Sequence, residues 1–243
     1  MPLDKIEFPP HMVEARTLLN LLDIDRFYFK GGVLRDLYAQ KRHTDIDVCT
    51  QRPKTELWDE ITQAASHLEL GRAFLSATIS NLIAQASSQR LRLERLYVLQ
   101  EGIQLRMKFN SQHELKEEEI DITLSKGACP PTAISAKADA SINSAICSED
   151  GQTWAHRFMQ YDLDHQYYRT NPDANIYLQC VNILRSERLK QKFERLQYIP
   201  NWKSFPLYQG WRVAPQIVKD RLMARHLRDI KITPAPEYAL EHR

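Results

Sequence analysis

Between Phe27 and Thr50 the chain reads FYFKGGVLRDLYAQKRHTDIDVCT, and two acids near its end limit what the segment can fold into. An apolar strand over Phe27–Phe29 runs into Gly31 and Gly32, a helix is expected over Val33–Gln40, and a second strand over Thr44–Thr50. Alternation along that strand puts Asp45 and Asp47 on one face and Ile46 and Val48 on the other. Two neighbouring carboxylates repel, so the arrangement is costly unless a cation sits on it. A glycine pair that opens a helix lets backbone N–H groups approach an anion, and Arg35 on the first turn can add a charged contact. Strand, glycine pair, short helix and acid-bearing strand together suit a divalent ion and the phosphates it holds.

Clamping the oxygens of a phosphoryl or nucleotidyl transfer takes carboxylates, two metal ions and surrounding positive charge. Magnesium prefers oxygen ligands and keeps several waters, so two or three carboxylates suffice. Asp45 and Asp47 supply two. The run Ile120–Leu124 is expected to be a neighbouring strand, and Asp121, between Ile120 and Ile122, is the third candidate. Glu119 is expected to point the other way and ranks below it.

At 243 residues the chain can bury a sizeable core, and no apolar run approaches the ~18 residues of a membrane span. The N-terminus lacks the pattern of a secretory signal, which makes the cytoplasm the default site of action, with delivery into another cell left open. Cys49, Cys129, Cys147 and Cys180 form no CxxC pair, so neither a disulfide framework nor a zinc site is indicated. Net charge is +2 overall, but from Arg185 onward 13 Lys and Arg face only 6 Asp and Glu. An acidic first part and a basic tail suit a metal at one end and a polyanion at the other.

Outside the central segment, helices are expected over 11–23, 55–68, 76–94, around 135–148 and over 173–197. Arg95–Gln100 and Ile103–Phe109 read as a hairpin turning at Glu101-Gly102. The last 45 or so residues read as short helices. They interleave Arg212, Lys219, Arg221, Arg225, Arg228 and Lys231 with Trp202, Phe205, Tyr208 and Trp211, a pattern that fits either single-stranded nucleic acid or a small hydrophobic cap.

GGVLRD followed by TDIDVCT resembles the head domain of bacterial poly(A) polymerases and class II CCA-adding enzymes, within the polymerase β-like nucleotidyltransferases. Asp121-Ile122-Thr123 is similar to their third-carboxylate strand. KADASINSAICSEDG resembles a further segment of the family, with Asp139, Ile142, Asn143 and Gly151 in matching places and Lys137 and Ala138 where that family has two arginines. Tyr161-Asp162-Leu163, Tyr168-Arg169-Thr170 and Ile183-Leu184-Arg185 with Arg188 continue the likeness, with an insertion near 65–95. Gln179 and Asn182 occupy the places where CCA-adding enzymes read bases with an Asp and an Arg; both amides can hydrogen-bond a base.

The resemblance implies an α+β head, a small mixed or antiparallel sheet flanked by helices, over residues 1–150, and a helical, basic region over 151–243. It implies transfer of a nucleoside monophosphate from an NTP to an acceptor hydroxyl. Asp45, Asp47 and Asp121 would be catalytic and hold two Mg2+ ions, with Mn2+ as a substitute. Gly31, Gly32, Arg35, Asp139, Asn143, Gln179, Asn182, Arg185 and Arg188 would line the nucleotide site. The expected acceptor is an RNA 3′ end. A protein hydroxyl is the alternative, because the chain has only about 50 residues after Arg195 where the family has its RNA-holding body. A nucleotide- or RNA-binding protein without catalysis is the third reading. No membrane partner is expected, and oligomeric state leaves no signal.

Overall fold

Residues 2–71, 73–100, 102–113, 116–171, 182, 185, 186 and 188–199 are described by the computed structural model. The chain divides into two compact units, residues 1–136 with 145–155 and residues 137–144 with 156–243.

The first unit is built on β1 (Pro2–Leu3), α1 (Pro10–Leu21), β2 (Tyr28–Lys30), α2 (Gly32–Tyr38), β3 (Ile46–Gln51), α3 (Glu56–Ser66), β4 (Ala73–Phe74) and α4 (Ala77–Ala86). It continues through β5 (Arg92–Leu99), β6 (Gly102–Asn110), β7 (Glu117–Ser125), α5 (Pro131–Ala136), β8 (Ile146–Ser148) and β9 (Thr153–Trp154). Among the described residues these strands form one sheet of order β1-β9-β8-β2-β3-β7-β6-β5-β4. Every neighbouring pair is antiparallel except β3 and β7.

Alternation decides the two faces. Phe29, Ile46, Val48, Ile120, Ile122, Leu124, Leu105, Met107 and Phe109 are buried on one of them. Over that face lie the buried sides of α1 (Met12, Ala15, Leu18, Leu19), α3 (Trp58, Ile61) and α4 (Ile79, Ile83). Phe29 meets Phe8 and Phe27 edge to face, and the Trp58 indole donates to the Leu22 carbonyl oxygen at 2.7 Å. The opposite face carries Lys30, Asp47, Arg106, Glu119 and Asp121.

Two expected helices break up. The run 76–94 is helical only to Ala86; Ser88 and Gln89 turn the chain with positive φ, and Arg92 begins β5. Arg90-Leu91-Arg92-Leu93 alternates with period two, and the ladder to β6 takes it. Of the run 135–148 only residues 135 and 136, the end of a helix over Pro131–Ala136, and the 3-10 turn at Ser141–Asn143 are helical, and Ile146–Ser148 pairs with β2 and β9. That Ala- and Ser-rich stretch has no apolar stripe to hold a helix against two available ladders. Gly102 is a strand residue rather than only a turn: a Cβ there would stand 1.8 Å from the Leu124 carbonyl oxygen. Residues 65–95, expected to be an insertion, supply β4, α4 and the start of β5, with α4 packed on α3 and β5.

In the second unit the 3-10 turn at Ser141–Asn143 packs on α6 (Met159–Asp164) and β10 (Tyr167–Arg169), which pairs in parallel with β11 (Gln197–Ile199). Asp162 is fully buried and holds Arg169 through both oxygens, at 2.9 Å each. Of the expected 173–197 helix, residues 182, 185, 186, 188 and 189 are helical, but the chain turns over 190–195 and Gln197 begins β11, so the helix does not reach 197; the rest of that run and all of the basic, aromatic tail lie outside the described residues.

Candidate catalytic site

The parallel pairing of β3 with β7 sets Asp47 beside Asp121. On the outer sides, Lys30 of β2 is opposite Asp47 and Arg106 of β6 is opposite Asp121. Residues paired in register share a face, so Lys30, Asp47, Asp121 and Arg106 make one row across four strands. Asp45, just before β3, accepts from the Thr44 hydroxyl at 3.0 Å.

Asp45, Glu119 and Asp121 each bring a carboxylate oxygen to a group whose members all lie within 4.8 Å of one another. The lower rank expected for Glu119 does not hold. Glu119 and Asp121 are two residues apart on β7, so the pleat gives them one face; it is Glu118 that turns inward and is buried. Asp47 is not in that group of three. Its Oδ2 faces Gly31, 3.5 Å from where a Cβ on that glycine would be.

Arg106 is the cation of the site. Its Nε donates to Asp121 Oδ1 at 2.8 Å and its terminal nitrogen to Oδ2 at 2.6 Å, and Nε is also 3.1 Å from Glu119 Oε1. These hydrogen bonds to Asp121 hold the guanidinium's pKa above its ordinary value. Burial pushes the Glu119 carboxyl up, and the charges of Asp121 and Asp45 add to the push against Arg106 and Lys108. Lys30 donates to the Thr123 hydroxyl at 3.4 Å. Sequence reasoning missed Arg106 and Lys30. The signal for Arg106 lay in the alternation of Gln104, Arg106 and Lys108 against Glu117, Glu119 and Asp121, whose signs complement each other across a ladder.

Gly31 caps α2 with φ 71° and ψ −131°, a conformation only glycine adopts without strain, and its N–H donates to the Ala145 carbonyl oxygen. Arg35 is buried rather than open on the helix surface. Its Nε donates to Asp36 at 2.8 Å, and its guanidinium lies 3.4 Å from the place a Cβ on Gly32 would take.

Within the second unit, Asp139 is a hub. Its carboxylate accepts from Asn143 at 2.8 Å, from the Tyr168 hydroxyl at 3.1 Å and from Arg185. Burial opposes its charge, yet Arg185, Asn143 and Tyr168 together hold its pKa below the ordinary value. Asn182 is fully buried and donates to the backbone oxygen of Asp139 at 3.1 Å. Arg188 is exposed, and Gln179 lies outside the described residues.

No family model matches the chain, and no curated protein matches it. In fold it is similar to the Thermotoga maritima CCA-adding enzyme complexed with tRNA_CCA, with a TM-score of 0.51 and 17% identity over 91% of this chain and 46% of that protein. The Bacillus stearothermophilus CCA-adding enzyme in complex with CTP matches over 84% of this chain and 43% of its own, at 13% identity and a TM-score of 0.48. The chain thus spans less than half the length of these two proteins. The likeness to the first is one of fold, a mixed α+β sheet flanked by helices.

Proposed function

We propose that the chain is a metal-dependent nucleotidyltransferase whose first unit moves a nucleoside monophosphate from an NTP to an acceptor hydroxyl. The observation that carries this reading is the acid group on the polar face of the β3–β7 pair, with Gly31 close to Asp47. The donor set fits the implied metal: three carboxylates with mutually close oxygens and no His or Cys suit Mg2+, with Mn2+ as a substitute. Asp45, Asp121 and Glu119 would hold one ion, and Asp47, next along the row, would share a second with Asp45. When bound, the ions neutralise charge on the phosphates and favour ionisation of the acceptor hydroxyl.

The chain's own groups do the rest. Gly31 lets the triphosphate approach the end of β2 without a Cβ in the way, Gly32 begins α2 beside it, and Lys30 adds positive charge to that end of the row. Arg35, buried against Asp36 and Gly32, stiffens the glycine turn. Asp121 orients the acceptor hydroxyl and takes its proton as the oxygen bonds to the α-phosphorus, and pyrophosphate leaves. Asp139, Asn143, Asn182, Arg185 and Arg188, with Gln179, are assigned to the nucleotide on the strength of the motif resemblance.

We favour an RNA 3′ end as acceptor, because the fold resembles that of a CCA-adding enzyme complexed with tRNA_CCA and the sequence from Arg185 onward is basic. The test is transfer from each of the four α-labelled NTPs with Mg2+, offering total RNA and total protein together, with Asp121→Asn alongside. Label on RNA that is lost in the variant supports the reading, and the number of nucleotides added separates a CCA-type from a poly(A)-type product. Label on protein would replace the acceptor. Nucleotide binding without label in either pool would replace catalysis with binding.

A further inference from the structure

We propose that Arg106 is a positioning residue that holds Asp121 and Glu119 together while no metal is bound and releases Asp121 when one binds. The proposal rests on the metal-site reading above.

Among the described residues, Arg106 is the one cation ion-paired with any member of the Asp45, Glu119 and Asp121 group. Lys108, opposite Glu119 in the ladder, instead gives its ammonium to Glu117 at 2.8 Å, with Glu94 at 3.8 Å. Lys30 turns to the Thr123 hydroxyl. Three carboxylates this close would push one another apart without a counter-charge, and the strand ladder delivers that charge at the position directly opposite Asp121.

The contact geometry makes Arg106 and a metal ion competitors for one carboxylate. The guanidinium fork takes both oxygens of Asp121 in parallel hydrogen bonds, at 2.8 and 2.6 Å, and Nε bridges to Glu119. A metal ion would draw on the same two oxygens, whose charge the guanidinium already neutralises and whose remaining lone pairs it crowds. Asp121 is only 5% exposed, which leaves little room for the carboxylate to swing and serve both partners. Arg106, at the end of a long and partly exposed side chain, has that freedom.

The test uses the full chain and three readouts other than turnover. In wild-type protein with 15N-labelled arginine, the Arg106 Nε–H should exchange slowly with solvent in EDTA and quickly at saturating Mg2+. Arg106→Met should lower the melting temperature in EDTA and bind Mn2+, read by EPR of the free ion, about tenfold or more tightly, since a like charge has left the site. Arg106→Lys, which keeps charge and loses the fork, should fall between. An Nε–H that stays protected while Mn2+ binds normally would overturn the exchange and leave the metal site standing. Absence of Mn2+ binding in both wild type and Arg106→Met would overturn the metal reading itself, and the proposal with it. The exchange measurement on wild type decides the matter even if Arg106→Met does not fold.

Discussion

Asp121 stands where two kinds of strand pairing meet: its parallel neighbour brings a second acid and its antiparallel neighbour brings Arg106. One substitution there changes both the acid group and its counter-charge. Asp121→Asn or Asp45→Asn should reduce transfer by roughly 10³-fold, the scale on which preorganised charge at a transition state acts. Initial rates with the labelled NTP that supports transfer would check this. Glu119→Gln should reduce it by about tenfold or more on the same scale, whereas an inward-facing or merely solvated Glu119 would leave the rate unchanged. Gly31→Ala tests the backbone alone, because the added Cβ meets ordinary contact distances and the cost comes from φ +71°. It should cost about 1–3 kcal/mol in urea unfolding. The Asp45, Asp47 and Asp121 pattern was visible in the residues themselves. Glu119 was visible too, had the period-two rule been applied to it consistently.

At the scale of elements, the glycine in the β5–β6 turn shows how a correct reading can rest on the wrong cause. Gly102 does follow the turn, but its necessity comes from the backbone of β7, 1.8 Å from where a side chain would begin. Gly102→Ala should therefore cost about 3 kcal/mol or more, the upper end of the overpacking range, because the obstacle is backbone and cannot rotate away. The melting temperature would register it, and a loss under about 1 kcal/mol, the lower end of that range, would mean the ladder yields easily. The helix α1, the β2-turn-α2-β3 unit and strands β6 and β7 were legible because each buries a continuous apolar face with its own period. The stretches 76–94 and 135–148 were misjudged because their local preference is weak and strands distant in sequence settled them.

For the whole molecule, one acid in each unit, Asp139 and Glu119, responds to pH with opposite sign. Asp139 has a folded pKa below its ordinary 3.8, so its stabilisation is complete above that value and fades as the pH falls through the lower, folded one. Asp139→Asn should flatten the acid limb of the stability curve only below about pH 4. Glu119 has a folded pKa above its ordinary 4.5, so its charge is a liability that grows as the pH rises from 4.5 through the folded value. In EDTA, Glu119→Gln should be the more stable protein at about pH 7, with the difference closing near and below 4.5, the ordinary value. Denaturant midpoints across pH would show either trend. What the sequence by itself determined was the set of parts: a glycine pair at a helix start and acids at alternate positions of short apolar runs. Those depend on neighbours one to four residues away. Only the tertiary structure decided that Glu119 joins Asp45 and Asp121, that Arg106 answers them, and that Arg35 is buried against the glycine turn. The first two follow from register between segments far apart in the chain and the third from packing around α2, and a one-residue slip of β7 against β3 would turn its acids to the other face.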